Sequence, residues 1–248
     1  MTTSSEAAVR ARPRVQEIRN LTESAYILRF DRNGIDFEPG QYVAVGVGGE
    51  IDMREYSIYS SLDADYLEIL VKEVEAGYVS RRLRRLEPGD ELEVDGPFGF
   101  FTIDAAERTR RPFLLVATGT GISPFHCFAQ SYPDLDYRLL HGVRLGSERY
   151  EHAAFDPHRL TSCLSRDRQT VDAAARSGGR DGSPADVAVA GPGEAIVAGR
   201  VTDHLREHPV PPETLCYLCG NCDMIYEAFD VLKGHGVPPE QLYAEVYF

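Results

Sequence analysis

The hydrophobic rhythm of the chain changes near its middle. Between Arg14 and Asp95, apolar and polar positions alternate over short runs broken by Gly, Pro, Asn and Asp. Such alternation predicts antiparallel strands, here at 15–20, 25–31, 41–47, 54–60, 66–73 and 91–95. Asn33-Gly34, Pro39-Gly40 and Pro88-Gly89-Asp90 supply turns between them. The spacing of Val79, Leu83 and Leu86 is helical and marks one short helix among the strands. After Pro112 the pattern differs: Phe113-Leu114-Leu115-Val116-Ala117 is continuously apolar, as in a strand covered on both faces of a parallel sheet. Further strands are predicted at 137–141, 160–164, 214–219 and 242–248, with helices at 125–130, 201–208 and 223–233. Residues 167–199 are poor in large apolar side chains and read as a mobile insertion. The expected architecture has two domains: a flexible tail at 1–13, an antiparallel β-barrel over 14–110, and an α/β domain with a parallel sheet over 111–248.

Composition narrows the function. The 248 residues are 43% hydrophobic and 26% charged, with no apolar run long enough for a membrane span. A formal charge of −13 argues against nucleic-acid binding, which needs a basic face. The first dozen residues lack the apolar core of a secretion signal, and five cysteines are an odd number. Both point to free thiols in a reducing, cytoplasmic setting.

Candidate chemistry lies in four places. Arg54-Glu55-Tyr56-Ser57-Ile58-Tyr59-Ser60 would place Arg54, Tyr56 and Ile58 on one face of a strand and Ser57 and Tyr59 on the other. A cation beside a phenol ring suits a ligand with a phosphate and a flat ring. Gly77-Tyr78-Val79-Ser80 precedes the short helix, so Ser80 is either an ordinary N-cap or one donor of an anion site. Arg81, Arg82, Arg84 and Arg85 follow it as a dense cationic patch, a solvated face by default or a dock for an acidic partner. Thr118-Gly119-Thr120-Gly121-Ile122-Ser123-Pro124 joins the apolar strand to a helix and would cradle a dinucleotide pyrophosphate. It lacks the Gly-Lys-Ser/Thr of a nucleotide triphosphatase loop. Arg144, Ser165, Arg166 and Arg200 fall at the carboxyl ends of the following strands and suit a 2′-phosphate, hence NADP over NAD. Cys216, Cys219 and Cys222 are spaced C-x2-C-x2-C but lack a nearby fourth ligand, so no metal site is expected. Phe100 and Phe101, beside a Gly-flanked turn, are expected to pack structurally.

Five segments in order resemble the ferredoxin–NADP reductase family, specifically its bacterial FAD-containing branch. They are Arg54-Glu55-Tyr56-Ser57, Gly77-Tyr78-Val79-Ser80, Gly119-Thr120-Gly121-Ile122-Ser123-Pro124, Cys219-Gly220-Asn221 and Glu245-Val246-Tyr247-Phe248. The resemblance implies a flavin-binding barrel followed by a nicotinamide-nucleotide domain. It implies Arg54 on the FAD diphosphate, Tyr56 on the isoalloxazine, Ser57 at flavin N5, Ile58 beside them, and Gly77 to Ser80 completing the diphosphate site. Thr118, Gly119, Thr120, Gly121 and Ser123 would hold the NADP pyrophosphate, with Arg144, Ser165, Arg166 and Arg200 at the 2′-phosphate. Ser57, Cys219 and Glu245 would be the catalytic residues, tuning hydride transfer between nicotinamide C4 and FAD N5. Tyr247 would cover the flavin, and Phe248 would reach its adenine. The implied partner is a ferredoxin or flavodoxin, docking on Arg81, Arg82, Arg84 and Arg85 of a monomer. The alternatives are a reductase component serving an oxygenase, or an electron-transfer subunit of a larger complex. Asn221-Cys222 departs from the Asn-Pro or Ser-Pro common in the family, and the 167–199 segment interrupts the 2′-phosphate region.

Overall fold

The computed structural model describes residues 9–177, 187–189 and 193–247. The chain forms two compact units, Met1–Thr102 and Ile103–Phe248.

In the first unit the elements run β1 (Val9–Ala11), β2 (Val15–Asn20), β3 (Ala25–Asp31), β4 (Tyr42–Val47), β5 (Met53–Ser57), β6 (Tyr66–Lys72), helix α1 (Tyr78–Leu83) and β7 (Leu92–Phe98). They make a four-stranded sheet, β1-β7-β4-β5, and a three-stranded sheet, β2-β3-β6, with every pair antiparallel. Bridges at Arg14–Glu91 and Ile58–Ile69 join the two. Alternation along the strands turns Val43 and Val45 of β4, and Leu92 and Val94 of β7, into the core. Within the segment expected as a flexible tail, Val9–Ala11 form β1. It is held by Arg10 and Arg12, which pair with the buried Glu93 carboxylate of β7 at 3.5 and 2.9 Å.

Strand β5 is an edge strand, pairing with β4 alone in its sheet. It ends at Ser57, earlier than the 54–60 run predicts. Beyond Ser57 the two-residue alternation stops, so Ser57, Ile58 and Tyr59 are all buried rather than split between faces. Phe100 corrects another expectation: it is 97% exposed, while Phe101 is 6% exposed. Gly99 turns the chain with φ +97° and packs against the Tyr42 ring, and only one of two successive side chains after that turn can face inward.

In the second unit the order is β8 (Phe113–Thr118), a 3-10 turn (Gly119–Ile122), α2 (Ser123–Ser131), β9 (Tyr137–Val143), β10 (Leu160–Leu164), α3 (Arg168–Ser177), β11 (Val187–Val189), β12 (Ala195–Ala198), α4 (Val201–Glu207), β13 (Leu215–Asn221), α5 (Cys222–Gly234) and β14 (Leu242–Tyr247). The sheet order is β11-β12-β10-β9-β8-β13-β14, parallel except for the antiparallel edge strand β11. One core cluster, with Val116, Leu140, Cys163, Leu218, Ile225 and Leu232 at its centre, seals α4 and α5 against the sheet. The segment read as an insertion is thus partly woven into the sheet. β12 pairs residue for residue with β10, and α3 buries Val171 and Ala174 against Val143, Leu164 and Ile196. Among the described residues no helix is long and apolar enough to cross a membrane.

Candidate functional site

The first unit brings two of the predicted motifs together through Tyr26. Its hydroxyl donates to the Ser80 carbonyl at 2.6 Å. Burial, with the Tyr56 phenol and the Glu73 carboxylate close by, pushes the Tyr26 hydroxyl far up from its ordinary range. Tyr56 itself is pushed up to about 12 by burial, against the lowering pull of Arg54. Both phenols are therefore neutral ring surfaces. Arg54 is exposed on the edge strand, and its guanidinium reaches only the Met53 carbonyl, at 2.7 Å. Among the described residues no carboxylate pairs with it. A cation left on an open sheet edge beside a half-buried phenol fits a diphosphate joined to a flat ring.

Ser80 is neither an N-cap nor an exposed donor. Gly77 is the N-cap, Ser80 lies inside α1, and its buried Oγ accepts from the Val74 amide at 3.3 Å. A Cβ on Gly77 would approach Ser80 Oγ to 2.9 Å, so glycine lets this turn close. No side chain caps α1, and its first turn carries no acidic residue, which leaves the Tyr78–Ser80 amides suited to an anion, whereas the Gly77 amide donates to the Val74 carbonyl at 2.7 Å. Tyr78 is exposed and Val79 is core. Ile58 is fully buried, so its side chain is not offered to a ligand.

The arginine patch is largely committed within its own unit. Arg84 donates to Glu73 at 3.2 Å, to Asn20 at 3.1 Å and to the Glu23 carbonyl, and lies over the Tyr26 ring. Arg82 pairs with Glu50, and Arg81 with Glu73 at 3.8 Å. Arg85 has no carboxylate partner among the described residues. With Arg82, Val47 and Leu86 it lines a groove of about 230 Å³.

In the second unit the strand order fixes the site. The chain runs outward from β8 through β9, β10 and β12, then returns to β13 on the other flank of β8. That reversal opens a crevice above the carboxyl ends of β8 and β13, where α/β sheets bind ligands. Thr118 Oγ1 accepts from the Asn221 amide at 2.9 Å and ties those two ends together. The Gly119–Ile122 turn lies against them so closely that a Cβ on Gly121 would be 2.3 Å from the Cys219 carbonyl oxygen. Gly119 holds φ +54°. The predicted Ser123 is buried, and its hydroxyl donates to the Thr120 carbonyl at 2.8 Å, so it shapes the turn rather than facing a ligand.

Arg144, Ser165 and Arg200 directly follow or closely trail β9, β10 and β12, at adjacent strand ends, with Arg166 next to Ser165. Arg144 is partly held by Glu148 at 3.1 Å, and Ser165 donates to the Val143 carbonyl at 3.2 Å. Arg166 and Arg200 are exposed, and among the described residues neither guanidinium has a carboxylate partner, although the Arg200 amide donates to Asp203 at 3.1 Å. At the other flank, register puts Cys219 beside Glu245 and Asn221 beside Tyr247. Cys219 Sγ lies 3.9 Å from Glu245 Oε2, and the Tyr247 hydroxyl donates to the same sulfur. Complete burial and the Glu245 carboxylate push this thiol well above its ordinary value, so it is no thiolate nucleophile. Cys216 points into the helix-covered core instead. Phe248 lies outside the described residues.

Sequence reasoning missed one group, a buried set of His141, His152, Ser162 and Glu194. Its members sit far apart in the chain and share no motif; His141 inside an apolar strand is the only local signal.

Residues 13–103 match the oxidoreductase FAD-binding domain family. The chain is 29% identical over 249 residues to ferredoxin–NADP reductase B of Sorangium cellulosum, covering 94% of this chain and 96% of that protein. It is 28% identical over 244 residues to the electron transfer component of toluate 1,2-dioxygenase from Pseudomonas putida, covering 94% of this chain and only 66% of that longer protein. Among solved structures, the Neisseria gonorrhoeae ferredoxin–NADP reductase with bound FAD and NADP shares the fold. Its TM-score is 0.75 at 21% identity, covering 96% of this chain and 99% of that one. Residues 13–103 thus carry the oxidoreductase FAD-binding domain, and the chain as a whole is similar to bacterial ferredoxin–NADP reductases over nearly its full length.

Proposed function

We propose that the protein passes electrons between NADPH and a one-electron carrier, a ferredoxin or flavodoxin, by way of FAD. The observation that carries this reading is the glycine turn pressed onto the switch point of a parallel sheet, with exposed arginines at the neighbouring strand ends. FAD, when bound, supplies a ring that takes two electrons from a nicotinamide and releases them singly. The chain's part is binding and alignment.

In this proposal Arg54 and the Tyr78–Ser80 amides hold the FAD diphosphate, Tyr56 presents a neutral ring to the flavin, and Ser57 sits at N5. Thr118, Gly119, Thr120 and Gly121 hold the nucleotide pyrophosphate, and Arg166 and Arg200, with Arg144, take the 2′-phosphate. Cys219 and Glu245 keep a protonated, uncharged thiol beside one carboxyl group at the nicotinamide end. The carrier docks on the arginine patch through Arg81, Arg82 and Arg85, whereas Arg84 holds the fold. All five cysteines are free thiols, in keeping with a cytoplasmic protein.

A second reading, a reductase feeding an oxygenase, is supported by the similarity to the toluate dioxygenase component. Rapid mixing of the FAD-loaded protein with NADPH, then with purified ferredoxin or flavodoxin, separates the two. Carrier reduction at a rate that keeps pace with flavin reduction is expected. Slow carrier reduction with fast electron delivery to an oxygenase component would favour the second reading.

A further inference from the structure

His141 of β9 has no exposed surface. Its Nε2 lies 2.8 Å from the carbonyl oxygen of Gly119, the first residue of the turn at the switch point. A carbonyl only accepts, so the ring carries a proton on Nε2. Nδ1 lies 2.7 Å from His152 Nε2. Burial, the neighbouring His152 ring and the cost of a buried charge hold His141 neutral, so Nδ1 accepts and His152 Nε2 donates.

The next link needs a further proton. His152 Nδ1 is 3.1 Å from Glu194 Oε1, and the same oxygen receives Ser162 Oγ at 2.9 Å and Arg149 at 3.1 Å. Two donors aimed at one oxygen keep Glu194 a carboxylate. A His152 protonated only on Nε2 would turn a bare lone pair toward that carboxylate. The contact is attractive only with a proton between Nδ1 and Oε1; burial lowers His152 from its ordinary value, and the Glu194 carboxylate opposes that shift.

In a trans peptide the C=O and the following N–H point in opposite directions. Holding the Gly119 carbonyl on His141 therefore turns the Thr120 N–H away from the buried ring. Gly119, at φ +54° with no atom within 4 Å of a built Cβ, allows that orientation. We propose that His141, oriented by His152 and Glu194, is a positioning residue that fixes the Gly119–Thr120 peptide with its amide aimed at the nucleotide phosphates. The inference rests on the reading of this turn as the nucleotide cradle. His141 touches no reacting atom; it acts through one peptide plane.

The test uses the FAD-loaded full chain and three readouts. Calorimetric titration with NADP+, which carries the same phosphates but cannot reduce the flavin, compares wild type with His141→Leu, which removes the donor, and His141→Gln, whose amide reaches the same position. The expected result is about tenfold weaker binding for His141→Leu, the usual scale for one hydrogen bond to a charged group, and near-wild-type binding for His141→Gln. Flavin reduction should show the loss in KM with kcat unchanged. In wild type, ¹⁵N-histidine NMR should show His141 protonated on Nε2 alone and His152 protonated on Nε2, a readout available even if His141→Leu does not fold. Unchanged affinity of folded His141→Leu, equal weakening in both variants, or a bare Nε2 on His141 overturns the inference alone. Wild type that binds FAD but no NADP+ overturns the reading of the turn, and the inference with it.

Discussion

Replacing Gly121 with alanine would place a methyl carbon 2.3 Å from the Cys219 carbonyl oxygen, 2.6 Å from its carbon and 2.8 Å from Gly220 Cα. All three are backbone atoms, and the shortest contact is more than 1 Å inside ordinary van der Waals distance. β13 cannot yield readily, because it is laddered to β8 on one side and β14 on the other. The turn must move instead. Overpacking of this kind costs about 1–3 kcal/mol, and the displaced amides should weaken NADPH binding at least about tenfold. Gly34→Ala, in the Asn33-Gly34 turn of the first unit, is the control. Its φ of +74° makes alanine strained by about 1–2 kcal/mol, yet nothing lies within 4 Å of the added carbon, so that turn stays in place. Urea unfolding followed by far-UV circular dichroism, which suits a chain without tryptophan, gives the stability. Calorimetric titration with NADP+, which cannot reduce the flavin, gives the affinity. Both variants should lose stability, and only Gly121→Ala should lose the nucleotide. If Gly121→Ala bound NADP+ like wild type and unfolded within about 0.5 kcal/mol of it, the close packing of turn on strand would not matter and the cradle would be misplaced.

Three further outcomes follow from the same contacts. Arg54→Gln should reduce FAD retention about tenfold or more while leaving apoprotein unfolding within about 0.5 kcal/mol, since the guanidinium reaches only a neighbouring carbonyl; equal FAD content in purified wild type and variant would exclude the diphosphate role. Arg166→Glu should raise the dissociation constant for NADPH about tenfold or more and leave that for NADH within about twofold, which paired titrations check; parallel losses would remove Arg166 from the 2′-phosphate. Burial, followed by His152, depresses His141 from 6.5 to about 3, so between these values the unfolded chain binds the extra proton. The stabilisation is complete above pH 6.5 and falls by about 1.4 kcal/mol per pH unit as acid is added. His141→Gln has no ring to protonate, so its urea unfolding between pH 7 and 4.5 should lack that increment. Identical slopes would show that His141 is not held neutral.

Much of the fold was written in local pattern. The continuous run Phe113–Ala117 announced a strand covered on both faces, and the Gly-Thr-Gly turn after it announced where that strand stops. β12 was not legible. Ala195–Ala198 is only four residues between glycine-rich stretches, and its identity as a strand comes from pairing with β10 rather than from its own propensity. The fate of polar groups was harder to read. Ser123 and Ser80 look like ligand donors in sequence, but each is buried with a backbone partner that only the fold supplies. Arg84 looked like one of four equivalent surface cations until Asn20, Glu23 and Glu73 converged on it. The His141–His152–Glu194 set was invisible because the loop after β9 carries His152 back to His141, while parallel pairing of β9, β10 and β12 brings in Glu194 from 42 residues beyond His152.

The central claim is that one chain holds FAD and draws electrons from NADPH. Its most direct test is the visible spectrum of the purified protein under anaerobic titration, first with NADPH and then, on a fresh sample, with NADH. The account predicts a flavin spectrum that bleaches at near-stoichiometric NADPH and needs a large excess of NADH. A colourless protein that takes up no FAD, or a flavin that NADPH leaves oxidised, would contradict it.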